Sequence, residues 1–149
     1  MNDQQFEEMV RKIEEEVHAE AKTALGARGF ERWRNPQFCG IMADADSQAR
    51  LTGGCGDTMN MFVKITDGRI ERAQYTTDGC GSSSVAGSFT AELAIGKSVE
   101  EILDMTGAEV LRHIGTFPEA EEHCATLAVQ TLQEAVNAFL IDQARPGKA

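Results

Sequence analysis

Alternation of apolar and polar positions is clearest in the middle of the chain. Met59, Met61, Val63 and Ile65 alternate with Asn60, Phe62 and Lys64, the period of two that marks a strand. Asp67-Gly68 follows, a pair suited to the positive φ angles of a tight hairpin. Arg69 to Thr77 then reads as the returning strand, with Ile70, Ala73 and Tyr75 as its bulkier apolar members. A shorter strand near residues 48–52 precedes the hairpin. The pattern predicts a three-stranded antiparallel meander over about residues 48–77.

On either side the period changes to that of a helix. Phe6, Met9, Val10, Ile13, Val17 and Leu25 follow i, i+3, i+4 spacing, while Glu7, Glu14 and Glu15 take other positions and Gly26 and Gly29 end the run. This is an amphipathic helix over residues 3–25. The stretch that follows, with Trp33 and Pro36, reads as an ordered loop. Beyond Cys80, Val85, Phe89 and Leu93 recur every four residues and Gly96 closes that helix. Ser98-Val-Glu-Glu101 and Thr106-Gly-Ala-Glu109 are capping boxes that open two short helices. Pro118 precedes a longer helix offering Leu127, Thr131, Ala135, Ala138 and Phe139 for packing. Strands first and helices afterwards give an α+β class, with C-terminal helices covering one face of the small sheet. The 149 residues suit one domain: an acidic helix (3–25), a core (about 33–142) and a frayed tail (144–149).

Composition narrows the function. Apolar residues make up 42% and charged residues 26% of the chain, ordinary globular values that set aside disordered and membrane classes. Twenty-four acids against 14 Lys and Arg leave a net charge of −10, which argues against a phosphate-backbone partner and for a positively charged protein. The acidic start MNDQQFEEMV lacks the basic and apolar regions of a secretory signal. A cytoplasmic protein with reduced thiols is therefore expected.

In that setting Cys39, Cys55, Cys80 and Cys124 are thiols, metal ligands or reactive groups. Two of them sit in Gly-Cys-Gly, in TGGCGD (52–57) and TDGCGS (77–82). Such loss of bulk suits a loop approached closely by something bound, and we read the two as similar solutions to one chemical need. Cys55 precedes the hairpin and Cys80 follows it, so antiparallel pairing brings them together. Cys80 also stands before a helix N-terminus, where the dipole favours thiolate, and the following serines can cap that helix. Asp57 beside two thiolates is unfavourable without a cation, which makes it a ligand candidate. His123 adjoins Cys124, near the start of the last helix, and is a metal-ligand or proton-handling candidate. Cys39, between Phe38 and Gly40, reads as a small buried hydrophobe; His18 and His113 read as surface residues. An enzyme using Cys124 as nucleophile lacks a base, since adjacent His123 cannot face it on a helix.

NPQFCG (35–40), GGCGDTM (53–59), TDGCGSSS (77–84), AELAIGKS (91–98) and His123-Cys124 together resemble the U-type iron–sulfur cluster assembly scaffolds, IscU and the N-terminal domain of NifU. The resemblance covers roughly residues 33–142. It implies that Cys55, Cys80 and Cys124 hold a nascent [2Fe–2S] cluster, with Asp57 or His123 at the remaining position and Cys39 open as a fourth ligand. It implies iron as the metal, zinc at the same residues, a pyridoxal-phosphate cysteine desulfurase as sulfur source, and Cys124 as persulfide acceptor. Acceptor apo-proteins would receive the cluster, so the chain is a carrier and not an enzyme. The alternative is a zinc-loaded regulatory partner of a desulfurase. Where many bacterial members carry LPPVK, this chain has Phe117-Pro118-Glu119-Ala120-Glu121; Glu121 in place of Lys argues against docking by the specialised Hsp70 and J-protein pair. For the acidic N-terminal helix, packing and dimer contact both stay open.

Overall fold

Asp67 and Gly68 adopt φ of 53° and 73°, the twist that lets a two-residue turn join two strands. The computed structural model describes residues 1–147, so Lys148 and Ala149 of the expected tail lie outside the described residues. Around that turn β2 (Thr58–Thr66) pairs with β3 (Arg69–Thr77), and β1 (Ser47–Thr52) pairs with the other edge of β2. The three strands pair antiparallel in the order β1-β2-β3, the expected meander, and Cys39 adds one parallel bridge to Tyr75 of β3. Met59, Met61 and Val63 are fully buried on one face, as the alternation requires. Phe62 on the opposite face is also buried at 7% exposure, a departure from simple two-sidedness.

Helices α2 (Gly81–Ala94) and α5 (His123–Gln143) cover the inner face, packing on the strands and on each other. Val85 and Phe89 from α2 and Leu132, Ala135 and Val136 from α5 fill the core with the β2 side chains. Between them lie α3 (Val99–Leu103) and α4 (Gly107–Ile114). Ser98 makes the complete capping box, accepting from the Glu101 amide at 3.1 Å while Glu101 Oε1 accepts from the Ser98 amide. Thr106 makes only the forward half, to the Glu109 amide.

The N-terminal helix α1 (Asp3–Arg34) departs most from expectation. It breaks at Gly26, with φ 73° and ψ 173°, but residues 27–34 are helical again, so Trp33 stands on a helix and not in a loop. A positive φ is open to glycine without Cβ strain, and a Cβ here would lie 2.8 Å from Thr116. The break reverses the chain: the His18 ring lies 6.0 Å from that of Trp33, where a straight helix would hold them roughly 22 Å apart. The second segment is fastened to α2. Arg32 donates to Glu92 at 2.8 Å and to Ser88 at 3.0 Å and lies over the Phe89 ring. The first segment buries only Leu25; Phe6, Met9, Ile13 and Val17 stay exposed, so its apolar face does not pack on the chain.

Candidate metal centre

Cys55 and Cys80 stand in two connections, β1–β2 and β3–α2, and Cys124 in the first turn of α5. Residues 53–57 join β1 to β2; the Gly53 amide donates to the Asp57 carbonyl at 2.8 Å, and Gly56 turns the loop with φ 93°. Cys55 rides exposed on this loop. Cys80 is the N-cap residue of α2, extended at φ −74° and ψ −176°, and its carbonyl accepts from the Ser84 amide at 3.1 Å. No side chain caps that helix, so the expected serine cap is absent. Cys124 is the second residue of α5 and is 1% exposed.

The serines serve other ends. Ser83, fully buried, donates its hydroxyl to Asp57 Oδ2 at 2.8 Å and lies 3.4 Å from Cys124 Sγ. One hydroxyl thus joins the β1–β2 loop, α2 and α5. Ser84 meets the buried Tyr75 hydroxyl at 2.8 Å; burial raises that phenol to about 12, so it stays neutral. Burial pushes the Cys124 thiol up to about 11; the Ser83 hydrogen bond opposes this, and the nearby negative groups of Cys80, Glu121 and Asp57 add to it. A thiolate formed here without a cation is disfavoured both by desolvation and by like charge.

Glu121 Oε2 lies 3.9 Å from Cys124 Sγ and 3.9 Å from His123 Nε2. The ligand atoms of Glu121, His123 and Cys124 all lie within 4.8 Å of one another. Sulfur, carboxylate and imidazole donors at this spacing suit a borderline or soft divalent ion. Sequence reasoning noted Glu121 only as the acid standing in place of Lys and missed it as a donor, since nothing local sets it apart from the neighbouring acids Glu119 and Glu122. It missed Ser83 too, for which the run of three serines offered no way to single one out.

Glycines around Cys80 answer to packing within the chain. A Cβ on Gly79 would stand 2.5 Å from Ser83 Oγ and 2.7 Å from Asp57 Oδ2, and one on Gly81 would stand 2.8 Å from Trp33 Nε1. Two further expectations are corrected. Cys39 is exposed and not buried, because the Phe38 carbonyl and the Gly40 amide pair with Tyr75 and lay this segment along the edge of β3. His113 is half-buried, with Nε2 2.9 Å from Glu92 and 3.1 Å from Arg28, a brace between α4, α2 and α1. His18 is exposed as expected, but its ring edge meets Phe30 and Trp33.

No helix among the described residues is long and apolar enough to cross a membrane. Comparison with known proteins agrees with the architecture. A crystallised NifU-like protein (N-terminal) from Brucella abortus superposes with a TM-score of 0.64 at 19% identity, covering 83% of this chain and 98% of that one. Over 108 residues the chain is 34% identical to the iron–sulfur cluster assembly scaffold protein IscU 1 of Archaeoglobus fulgidus, covering 72% of this chain and 71% of the relative. It is 36% identical to the iron–sulfur cluster assembly protein 3 of Arabidopsis thaliana, covering 74% and 67%. The NifU-like N-terminal domain model matches residues 27–146, and the chain belongs to that family.

Proposed function

We propose that the protein is a scaffold on which a labile [2Fe–2S] cluster is built from iron and desulfurase-derived sulfur and then passed to acceptor apo-proteins. Cys55, Cys80 and Cys124 supply the thiolates. Asp57, His123 or Glu121 supplies the last donor. The observation that carries this reading is the link of Asp57, Ser83 and Cys124 at 2.8 and 3.4 Å, with Cys80 and Glu121 close enough to act on the same sulfur.

Four thiolates hold a cluster firmly. Three thiolates and a carboxylate or imidazole leave one weaker corner, where an acceptor thiol can enter. Cys124 would take the outer sulfur of a donor persulfide onto its thiolate and release the donor thiolate. Since Cys124 is 1% exposed, that step requires the segment preceding α5 to open.

The test is anaerobic reconstitution with ferrous iron and sulfide, read by visible absorbance and by iron and sulfide content per chain. Absence of a chromophore at full metal loading would sink the proposal. The tight Glu121–His123–Cys124 group favours one second reading, a zinc-loaded regulator of a desulfurase. Zinc binding without a chromophore, together with altered desulfurase turnover, is its signature. In the scaffold reading Asp57→Ala slows transfer to an apo-ferredoxin by roughly tenfold, in line with loss of a group around a metal site. Unchanged transfer would remove Asp57 from the mechanism.

A further inference from the structure

The first segment of α1 lies outside the family match, which begins at residue 27. It nonetheless carries four large apolar side chains that stay exposed at helical spacing. Phe6, Met9, Ile13 and Val17 are 55, 40, 53 and 48% exposed. At about 100° per residue they fall within one stripe about 100° wide.

Charge is arranged around that stripe. The same helical geometry places Asp3, Glu7 and Glu14 along one border and Glu16 along the other, while Glu20 lies in line with the stripe and closes its C-terminal end. These five make no ion pair among the described residues. Of the two bases of residues 3–20, Arg11 falls on the back, paired with Glu8 and Glu15, and Lys12 falls between the back and the Glu16 border, 4.0 Å from Glu8. The stripe is thus apolar over residues 6–17, flanked by three unpaired carboxylates on one side and one on the other, and closed by Glu20 at its C-terminal end.

Its far end leads to the sulfur site. The reversal at Gly26 sets Ala21 and Ala24 against Trp33, Cys80 and Pro118, around an open groove of about 290 Å³. A protein lying along the stripe reaches the exposed Cys80 without crossing the core.

We propose that the exposed face of α1 docks a partner whose surface is apolar at its centre and lined by Lys and Arg, and that this partner is the protein sulfur donor. A second copy of the chain is the wrong complement, because acidic borders would face acidic borders. An anionic membrane fails for the same reason. The choice of donor rests on the scaffold reading: every cluster draws on one sulfur source while acceptors are many, and a fixed helix face matches a fixed partner.

The experiment uses the full chain and the cysteine desulfurase of the same organism, with affinity measured by calorimetry at low and high salt. Phe6→Asp with Ile13→Asp is expected to weaken binding at least about fiftyfold, as loss of central apolar anchors does. Glu7→Lys with Glu14→Lys and Glu16→Lys is expected to weaken it about tenfold and flatten its salt dependence. Glu8→Gln, on the back, should leave affinity unchanged. Chemical reconstitution with iron and sulfide needs no donor protein and stays intact in all variants. Should the double Asp variant lose helicity by circular dichroism, the surface charge reversal decides. No binding by the wild type, or equal binding by the stripe and border variants, overturns the proposal. So does a wild-type dimer in sedimentation that the stripe variant dissociates. If reconstitution fails in the wild type while donor binding follows the stripe, the scaffold reading falls and the docking surface stands.

Discussion

The two Gly-Cys-Gly loops share a tripeptide and almost nothing else. Around Cys55 the chain is open: a Cβ on Gly54 or Gly56 meets nothing within 4 Å, and only the φ of 93° at Gly56 calls for glycine. Around Cys80 the backbone takes no positive φ, and both glycines are there for space, against Ser83 and Asp57 on one side and Trp33 on the other. The first loop is free to follow whatever binds; the second is wedged among the groups that hold Asp57 and Cys124. The reading of both as one solution to one need is therefore corrected. A repeated motif can arise from backbone freedom in one place and from steric exclusion in another.

The largest effect expected from this contrast is at Gly79. Gly79→Ala would drive a methyl into Ser83 and Asp57 and cost about 3 kcal/mol, the upper range for overpacking, measured by urea unfolding. A variant as stable as the wild type would end the steric account of the second loop. Next comes the sulfur on that packed side. With the Cys124 thiol raised from 9.0 to about 11, the folded state binds the proton more tightly than the unfolded state. That stability is present below pH 9 and is lost as pH rises from 9 to 11. The full shift corresponds to about 3 kcal/mol in metal-free protein. Cys124→Ala should remove the slope between pH 9 and 10, above which the raised Tyr75 phenol adds a loss of its own; an unchanged slope between pH 9 and 10 would assign the loss to another group.

Ser83→Ala comes third, at about 1–2 kcal/mol for a buried hydroxyl with two partners. Combined with Asp57→Ala its cost should fall short of the sum, because both remove the same bond; strict additivity would show that the bond carries no energy. Smallest are the open-loop changes. Gly56→Ala costs about 1 kcal/mol for a left-handed backbone, while Gly54→Ala stays within about 0.5 kcal/mol of the wild type. Equal costs at Gly54 and Gly79 would erase the distinction between the loops.

Much of the fold was legible beforehand. The Asp67-Gly68 turn, the β2 alternation and the Ser98 cap all appear where the pattern put them, since each depends on residues within a few positions of one another. The site was legible only as a set of candidates. Cys55, Asp57, Cys80, His123 and Cys124 stood out by composition and position, whereas Ser83 and Glu121 did not. Nothing in a serine run says which hydroxyl turns inward, and an acid preceding His-Cys looks like any surface acid.

The sequence alone determined the local elements, their order and the residue types available for chemistry, because period, turn and cap are short-range properties. Only the tertiary structure decided what meets what: Ser83 reaches Asp57 across 26 positions and Cys124 across 41. It also decided that the apolar face of α1 stays uncovered. An amphipathic period records that a face seeks burial, while the geometry at Gly26 settles whether the chain itself can supply it.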